Sequence, residues 1–398
     1  MGITTIHSFQ IPGAKSALAL LAKRSYTLRP NAKPEPMREH LPFVEQPVYA
    51  ESINQDAGPR LVLDSDYFCA QKQYTDVLIS GSAHSPAGPV SELLVFVSIS
   101  RGGASPDIHK KIRVSGDRRI LLERGGRLAF SKPEPFVSMD LCMDRAFGGR
   151  DAYAEDKLSM RPSAFGRGRK GLQGLREDPK NPKEDGFGIS YPRNISGRGF
   201  GLDMDRERFL GRLLPNLDDP EDPVTPERLL IQDPLDWMDL PSASSFCPID
   251  AFTFPRALFM LPHAANPPKK ALYEYKKNIV SKADLEDRRT QKIPPNPRLY
   301  NCAPAGLASL RLEGNERVVL GHMHPRYAQL SFDLPAERPR MLIEPPGCAV
   351  SELQPLLQTL LIEPEAMRLS LVWAGVMETA ARFPKELASS IRHAAVFE

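Results

Sequence analysis

Short apolar segments separated by glycine, proline and serine recur through the first 150 residues of the chain. Valine, isoleucine and leucine dominate them, and no helical periodicity lies between them. Such segments are typical of strands, and their close spacing favours antiparallel pairing. The predicted strands here are Val77–Ser80, Glu92–Ser100, Ile108–Val114 and Arg119–Glu123.

The segment Lys15–Leu28 begins with a run of six apolar residues, Ala17 to Ala22. A continuous apolar run fits a strand that is buried on both faces, and it also fits a buried helix. The segment is therefore either one long strand or a helix that gives way to a strand.

Strand patterns return near the carboxyl end, with turn signals at Glu313-Gly314-Asn315 and Glu363-Pro364-Glu365 that are typical of hairpin connections. The predicted strands are Ala308–Leu312, Arg317–Leu320, Tyr327–Leu334, Arg340–Ile343, Leu356–Ile362 and Arg368–Trp373.

The centre of the chain lacks this succession of apolar segments and turn residues. Apolar content is lowest over residues 155–185, which predicts disorder, and the later part reads as ordered loop. One amphipathic helix is predicted near residues 269–292, because Leu272, Tyr275, Ile279 and Val280 repeat at helical spacing among lysines.

The pattern as a whole predicts a mainly β fold, in the sense of a β-rich α+β protein. We expect two antiparallel-sheet lobes, residues 1–150 and 297–398, joined by a long loop-rich central region, residues 151–296, that contains the one helix. The 39 prolines among 398 residues, about twice the usual share, agree with a high content of loops.

The formal net charge of +3 gives no reason to expect binding to nucleic acid or to an anionic membrane. Charge is nevertheless uneven, because residues 161–183 hold seven basic and two acidic side chains, whereas residues 203–222 hold seven acidic and three basic ones. The basic stretch is either a solvated insertion or a docking element for an acidic partner.

The five cysteines are far apart and form neither a C-x-x-C pair nor a zinc-like cluster with histidine. We therefore expect buried thiols, a reducing compartment and no metal or other cofactor. The apolar run near the amino terminus is too short for a secretory signal or a membrane span, which favours a cytoplasmic protein.

Several segments combine glycine with arginine, and each allows two interpretations. Glycine permits tight turns and close backbone approach, while a neighbouring arginine can tie a loop through several donors. The side chains could hold loops together, or they could contact a partner protein. The candidate partner-binding residues are Arg118, Arg145, Phe147, Asn194 and Arg198.

Catalytic patterns are scarce. His322 and His324 would share one face of a strand and could hold a metal, which leaves a metal-dependent hydrolase as an alternative, but no third ligand is apparent nearby. The chain has neither a Gly-x-Ser-x-Gly elbow nor a P-loop. We therefore expect a protein that is not an enzyme.

The order of the motifs is more specific than any one of them. The succession contains Lys72-x-x-x-Asp76, Gly116-Asp117-Arg118, Arg145-Ala-Phe-Gly-Gly149, Asn194-x-x-Gly-Arg-Gly-x-Gly201, Leu214-Pro-Asn-Leu217, Phe246-Cys-Pro-Ile249, Pro255-Arg256, Tyr300-Asn-Cys-Ala-Pro304, Leu312-x-Gly-Asn-Glu316 and Thr359-Leu-Leu-Ile-x-Pro364. Over roughly residues 15–375 it resembles domain-of-unknown-function family 2169, bacterial proteins found with type VI secretion systems.

The resemblance implies an adaptor-chaperone that holds a secreted toxin, often through its PAAR spike-tip region, and helps to load it onto the VgrG spike. It brings no catalytic residues. A structural component of a phage-like injection apparatus is a further alternative. The chain departs from the family pattern at Phe254 and Ala374, where tryptophan and arginine are frequent, and it lacks a glycine-threonine-tyrosine-aspartate turn after Arg256.

Overall fold

Strands dominate the described part of the chain. The computed structural model describes residues 2–11, 15–54, 57–102, 105–151, 191, 193–202, 206–231, 241–251, 253, 256, 300–310, 312–379 and 390–398. The predicted helix near 269–292 and the predicted disorder over 155–185 lie outside these residues.

The strands and short helices follow in chain order. The first strands are β1 (Ile3–Ile11), β2 (Lys15–Thr27), β3 (Glu35–Pro36), β4 (Val48–Ala50), β5 (Arg60–Leu63), β6 (Thr75–Ile79), β7 (Ser82–His84), β8 (Glu92–Ser100), β9 (Ile108–Ser115), β10 (Ile120–Leu122), β11 (Leu128–Phe130), β12 (Ser138–Asp140) and β13 (Phe147–Gly148). The later strands are β14 (Arg198–Gly199), β15 (Gly201–Leu202), β16 (Leu217–Asp218), β17 (Leu230–Ile231), β18 (Ala308–Ser309), β19 (Arg317–Gly321), β20 (Gln329–Asp333), β21 (Pro339–Glu344), β22 (Ser351–Leu353), β23 (Leu356–Glu363), β24 (Arg368–Thr379) and β25 (Arg392–Phe397). Within the described residues the helical elements are two 3-10 turns, Met143–Arg145 and Arg206–Phe209, and a short helix α1 (Pro226–Leu229).

The largest sheet has the strand order β1-β2-β24-β23-β6-β18, with β3 also paired to β2. Its longest contact is the antiparallel pair of β2 and β24, which runs from Ser16 opposite Thr379 to Thr27 opposite Arg368. The pair of β23 and β6 is parallel. A second sheet of five strands has the order β16-β9-β8-β19-β20.

The ambiguous apolar run near the amino terminus is a strand. Residues Ala17 to Ala22 all belong to β2 and are buried. Leu18 and Leu20 join the main core, whereas Leu21 packs on the other face with Val372 and Ala374, under Phe43 and Tyr67. A strand that is covered on both faces needs apolar residues at consecutive positions, which explains the missing alternation.

One hydrophobic core joins the two large sheets. It contains Leu20 and Leu371 from the seven-stranded sheet together with Val97, Val318 and Phe332 from the five-stranded sheet. The prediction of a β-rich fold with several antiparallel sheets is confirmed. The two ranges expected to form lobes supply neighbouring strands to the same sheets, since β2 pairs with β24 and β8 pairs with β19.

Candidate partner-binding site

The structure brings four motif segments together at one place, namely residues 116–118, 145–149, 194–201 and 214–217. Strand β13 pairs in parallel with β14, so Phe147 lies opposite Arg198. The amide of Asn216 donates to the carbonyl of Arg145 (2.8 Å), and the amide of Leu214 donates to the carbonyl of Arg118 (2.9 Å). Segments that are distant in sequence thus form one polar cluster, which we call the arginine cluster: Asp117, Arg118, Arg145, Arg198 and Asn216.

Asn216 lies at the centre of the arginine cluster and is fully buried. Its Nδ2 donates to the carbonyl of Ser115 (2.8 Å) and to Oδ1 of Asp117 (3.0 Å). Its Oδ1 accepts hydrogen bonds from Nη1 of Arg145 (3.1 Å) and from Nη2 of Arg198. One side-chain amide therefore uses both its donor and its acceptor to hold three segments together.

Asp117 supplies the negative charge of the cluster. Its Oδ1 lies 2.8 Å from Nη2 of Arg198 and 4.0 Å from Nη1 of Arg145. Burial by itself raises the pKa of the Asp117 carboxyl, but the hydrogen bond from Asn216 and the positive charge of Arg198 outweigh burial, so the pKa is lowered. The carboxylate is therefore ionised at neutral pH.

Arg118 fastens the hairpin of β10 and β11 to the rest of the cluster. Its Nη2 donates to the carbonyl of Pro215 (3.0 Å), and its guanidinium lies over the ring of Phe130 at 5.5 Å from the centroid. The side chain is buried, so the arginine acts as an internal tie between the hairpin and the segment that leads into β16.

Phe147 and Asn194 close the same loops from the other side. Phe147 is fully buried and meets the ring of Tyr191 edge-on, with the centroids 4.9 Å apart. Nδ2 of Asn194 donates to the carbonyls of Met143 (2.9 Å) and Phe147 (3.0 Å). A Cβ on Gly148 would lie 2.2 Å from the carbonyl oxygen of Asn194, which explains why glycine stands there.

The five residues predicted to bind a partner therefore lie close together and make internal contacts. Phe147 and Asn194 bury their side chains, whereas 22% of the Arg145 side chain and 38% of the Asp117 side chain remain exposed. These internal contacts account for the glycine-arginine segments as loop architecture. Direct contact with a partner stays a prediction.

A second buried polar group surrounds Asp76. Its carboxylate lies 2.8 Å from Nζ of Lys72 and accepts hydrogen bonds from Nδ2 of Asn301 (2.9 Å) and from the amides of Cys302 and Ala303 (both 3.1 Å). Burial raises the pKa of the Asp76 carboxyl, but the Lys72 ammonium and these donors outweigh burial and lower it. Two motifs that are more than 200 residues apart are joined by this carboxylate.

Two further buried charged residues, Arg256 and Glu316, also hold loops in place. Arg256 is buried, pairs with Asp64 at 2.8 Å and donates to the carbonyl of Ile249. The Glu316 carboxylate accepts hydrogen bonds from the backbone amides of residues 313, 314 and 315 at 2.8 to 3.1 Å. It also forms an ion pair with Arg101 at 3.0 Å. The carboxylate thereby fixes the turn that precedes β19.

Asn216, Asp76 and Glu316 were not among the predicted site residues, although each stands in a motif of the recognised succession. For Asn216 the available signal was a short polar side chain in an otherwise apolar segment, Leu214-Pro-Asn-Leu217. Such a position is favourable when buried backbone groups need a partner.

Burial disfavours the reactive thiolate form of three cysteines. Burial raises the pKa of Cys69 to about 12 and that of Cys247 to about 12, and it raises the pKa of Cys302 well above its usual value. A protonated thiol is a poor nucleophile. All five cysteines are free; the expectation of buried thiols is wrong for Cys348, which is exposed.

The two histidines do not share a strand. Strand β19 ends at Gly321, and His322 has a left-handed backbone with φ 59°. The prediction that both imidazoles share one face of a strand is therefore wrong.

The contacts of His324 are internal. Its Nδ1 accepts a hydrogen bond from the backbone amide of Arg326 (3.0 Å), and its ring lies against the ring of Tyr327, with the centroids 4.7 Å apart. In the described part of the chain, no three His, Cys, Asp or Glu side chains are grouped to hold a metal ion.

Helices in the described ranges are short, and none of them is long and apolar enough to cross a membrane.

A comparison with protein-family models gives a match over most of the chain. The model of a family described as an uncharacterized protein conserved in bacteria (DUF2169) matches residues 13–374. The matched range includes the arginine cluster, the Asp76 group and the five-stranded sheet, whereas β1 and the end of β24 in the largest sheet lie outside it. A search of curated proteins and a search of solved structures each found no match.

Proposed function

The chain belongs to the DUF2169 family of conserved bacterial proteins, and on that premise we propose that it is a cytoplasmic, non-enzymatic adaptor-chaperone for a type VI secretion effector. In this proposal it binds the PAAR or spike-tip region of the effector and helps to load the effector onto the VgrG spike. The link to a secretion system rests on the family resemblance. The geometry of the motifs supports a binding role.

The observation that carries the proposal is that the polar side chains of the motifs hold the loops of this chain in place. The hydrogen-bonding groups of three motif residues, Asn216, Asp76 and Glu316, bond to the backbone and to side chains of the same chain. None of these contacts activates a nucleophile, and all of them fix loops between strands. A surface that is already ordered before binding loses little conformational freedom when a partner arrives, which favours stoichiometric capture.

Capture protects the effector in a simple physical way. A spike-tip region without its spike exposes apolar side chains and unpaired strand edges, which promote aggregation. Covering those groups with the loop surface of the adaptor keeps the effector soluble until the spike replaces the adaptor. This requires one adaptor per effector and no turnover of substrate.

Co-purification tests the proposal. A tagged chain is isolated from its bacterium at low salt and at high salt, and the retained products of neighbouring genes are identified by mass spectrometry. We expect a PAAR-bearing effector or a VgrG-like protein to be retained. Retention of neither at either salt contradicts the proposal, whereas loss at high salt alone indicates that charge contributes to the contact.

Two measurements separate the alternatives. Stoichiometric zinc or manganese that is lost in a His322→Ala variant would favour a metal-dependent hydrolase over the adaptor. Presence of the chain in the assembled, fired spike would favour a structural component of an injection apparatus. The adaptor proposal predicts neither result.

A further inference from the structure

Strand β25 has one paired edge and one open edge. It is the last strand of the three-stranded sheet, whose order is β22-β21-β25, and it pairs with β21 over its whole length, Arg392–Phe397. In the described part of the chain, no strand pairs with its other edge. An open edge presents backbone groups on which another strand can pair.

The hydrogen bonds to β21 show which residues of β25 face the open edge. The amides of Arg338 and Glu398 each donate to the carbonyl of the other, at 3.2 and 3.3 Å, so these residues form a hydrogen-bonded pair. Because such pairs alternate along an antiparallel ladder, the even-numbered residues of β25 bond to β21. The backbone N–H and C=O groups that point to the open edge therefore belong to His393, Ala395 and Phe397.

The open edge lacks the usual protection against pairing. Exposed edges are commonly protected by proline, by lysine, by a β-bulge or by a very short strand. Strand β25 contains neither proline nor lysine, and its register with β21 has no shift. Arg392 begins the strand, and Glu398 follows its last residue, so the two ends carry opposite charge.

The two faces of β25 differ in burial. Ala395 and Phe397 are partly buried and pack against the main core. Side chains alternate along a strand, so the even-numbered residues lie on the opposite face. That face is exposed and carries Arg392, Ala394, Val396 and Glu398.

Two copies of β25 that pair antiparallel about Ala395 satisfy each other's open edge. In this register Ala395 lies opposite Ala395 of the second copy, and His393 lies opposite Phe397 of the second copy. All of these residues face the open edge, so each pair exchanges two backbone hydrogen bonds. The second copy thus supplies partners for the outward backbone groups of the strand.

The same register matches the side chains of the exposed face. It places Arg392 opposite Glu398 of the second copy and Ala394 opposite Val396 of the second copy. These are non-hydrogen-bonded pairs, in which side chains lie closest together. Arg392 forms an ion pair with Glu344 of its own chain at 3.6 Å but stays 84% exposed, so it is accessible to a further carboxylate. The charges of the strand are therefore self-complementary, which favours a second copy as the partner.

We propose that the chain forms a two-fold symmetric dimer in which β25 pairs with β25 of a second copy. The two three-stranded sheets then form one continuous sheet. The inference goes beyond the adaptor function, because it concerns contact between copies of the chain and not contact with an effector. One pair of strands is a small interface, so we expect a dimer that dissociates in the micromolar range.

Sedimentation equilibrium of the purified full chain, from about 1 to about 200 µM, measures the monomer–dimer dissociation constant. Ala395→Pro removes an N–H that faces the open edge, while the hydrogen bonds to β21 remain. We expect this variant to dimerise at least about tenfold more weakly than the parent chain. Circular dichroism and thermal unfolding at low concentration verify that the variant is folded.

A charge exchange tests the register without proline. Arg392→Glu places like charges opposite each other at both ends of the contact, so we expect about tenfold weaker dimerisation at low salt. Adding Glu398→Arg restores opposite charges and should return the dissociation constant to within about threefold of the parent value. The matched control is Arg317→Glu, which breaks an exposed ion pair with Asp333 (3.1 Å) on other strands and should dimerise as the parent chain does.

Cysteine cross-linking tests the pairing directly. Ala394→Cys and Val396→Cys are prepared as separate variants, each with Cys348→Ser, because Cys348 is exposed. Positions 394 and 396 of two copies lie opposite each other in a non-hydrogen-bonded pair, about 4.5 Å apart at Cα, which a disulfide can bridge. Oxidation of the mixture should give a disulfide-linked dimer, whereas each variant alone should give little.

The outcomes decide the proposal. A parent chain that stays monomeric up to about 200 µM overturns it. A dimer that both Ala395→Pro and Arg392→Glu leave unchanged also overturns it, because the contact then lies elsewhere, and so does cross-linking that is as strong in each cysteine variant alone as in the mixture. Retention of an effector is measured separately, so the dimer and the adaptor function can each fail without the other.

Discussion

Asn216 shows how one buried side chain can organise several loops. Its amide contacts Ser115, Asp117, Arg145 and Arg198, and no alanine could replace those hydrogen bonds. Arg118, Arg145 and Arg198 can be identified from the sequence because each lies within three residues of a glycine in a recurring type of motif. The apolar neighbours of Asn216 indicate that its side chain is buried, but nothing in the local sequence identifies its four partners from distant segments.

We predict that Asn216→Ala lowers the free energy of unfolding by about 2–3 kcal/mol, because a buried donor and acceptor lose their partner. Urea denaturation followed by tryptophan fluorescence measures the change as a shift in the midpoint. Asn315→Ala, at an exposed position, is the matched control and should shift the midpoint little. Equal midpoints for the two variants would contradict the central position of Asn216.

The buried pair of Lys72 and Asp76 allows a double-mutant cycle. Asp76→Leu leaves a buried ammonium without its carboxylate, so we expect a loss of about 3–5 kcal/mol. Adding Lys72→Met should restore part of that loss, because the unpaired charge is removed. Urea denaturation of both single variants and the double variant gives the coupling energy. Additive losses would show that the two charges are not coupled.

Local pattern was sufficient for some elements and insufficient for others. Strand β8 was predicted with its observed bounds, Glu92–Ser100, because β-branched and aliphatic residues fill it and turn residues flank it. Strand β1 was not predicted, since threonine, serine and histidine interrupt its isoleucines. The strand exists because β2 lies beside it. The parallel pairing of β23 with β6 joins residues that are 283 positions apart, such as Thr359 and Asp76, which no local pattern reveals.

The turn at Gly116 provides a test at the scale of an element. A Cβ there would lie 1.7 Å from the carbonyl oxygen of Glu134, so Gly116→Ala must displace the backbone at the start of the hairpin. We expect a loss of about 2 kcal/mol or more in the free energy of unfolding. In Gly81→Ala the added Cβ would meet Pro364 at 3.4 Å, an ordinary contact, so this control should unfold as the parent does.

At the scale of the whole molecule, residues near both ends of the chain build the same sheets. Strand β2 is held between β1 and β24, and β8 is held between β9 and β19. The β-rich class could be predicted from composition and alternation. The sharing of sheets between the two ends could not be predicted. A strand shows the same local pattern whether its antiparallel partner is the next strand in the sequence or a strand far away in the sequence.

The stability of the whole molecule should fall in acid. The pKa values of Asp76 and Asp117 are lowered in the folded state, whereas an unfolded aspartate has a pKa of about 3.9. Their stabilisation is therefore present above about pH 4 and is lost as pH falls through the lower folded values. Urea midpoints measured from pH 7 down to pH 3 should decline in this range, and Asp117→Asn should show a smaller decline. An identical decline in the variant would remove Asp117 from the explanation.

The most direct test of the proposed adaptor function is a calorimetric titration of the purified chain with the purified PAAR region of an effector encoded by a neighbouring gene. The account predicts saturable binding at a fixed stoichiometry, with no chemical change in either protein. Absence of binding to both this region and the full effector, at low salt and at protein concentrations that maintain both proteins folded, would contradict it.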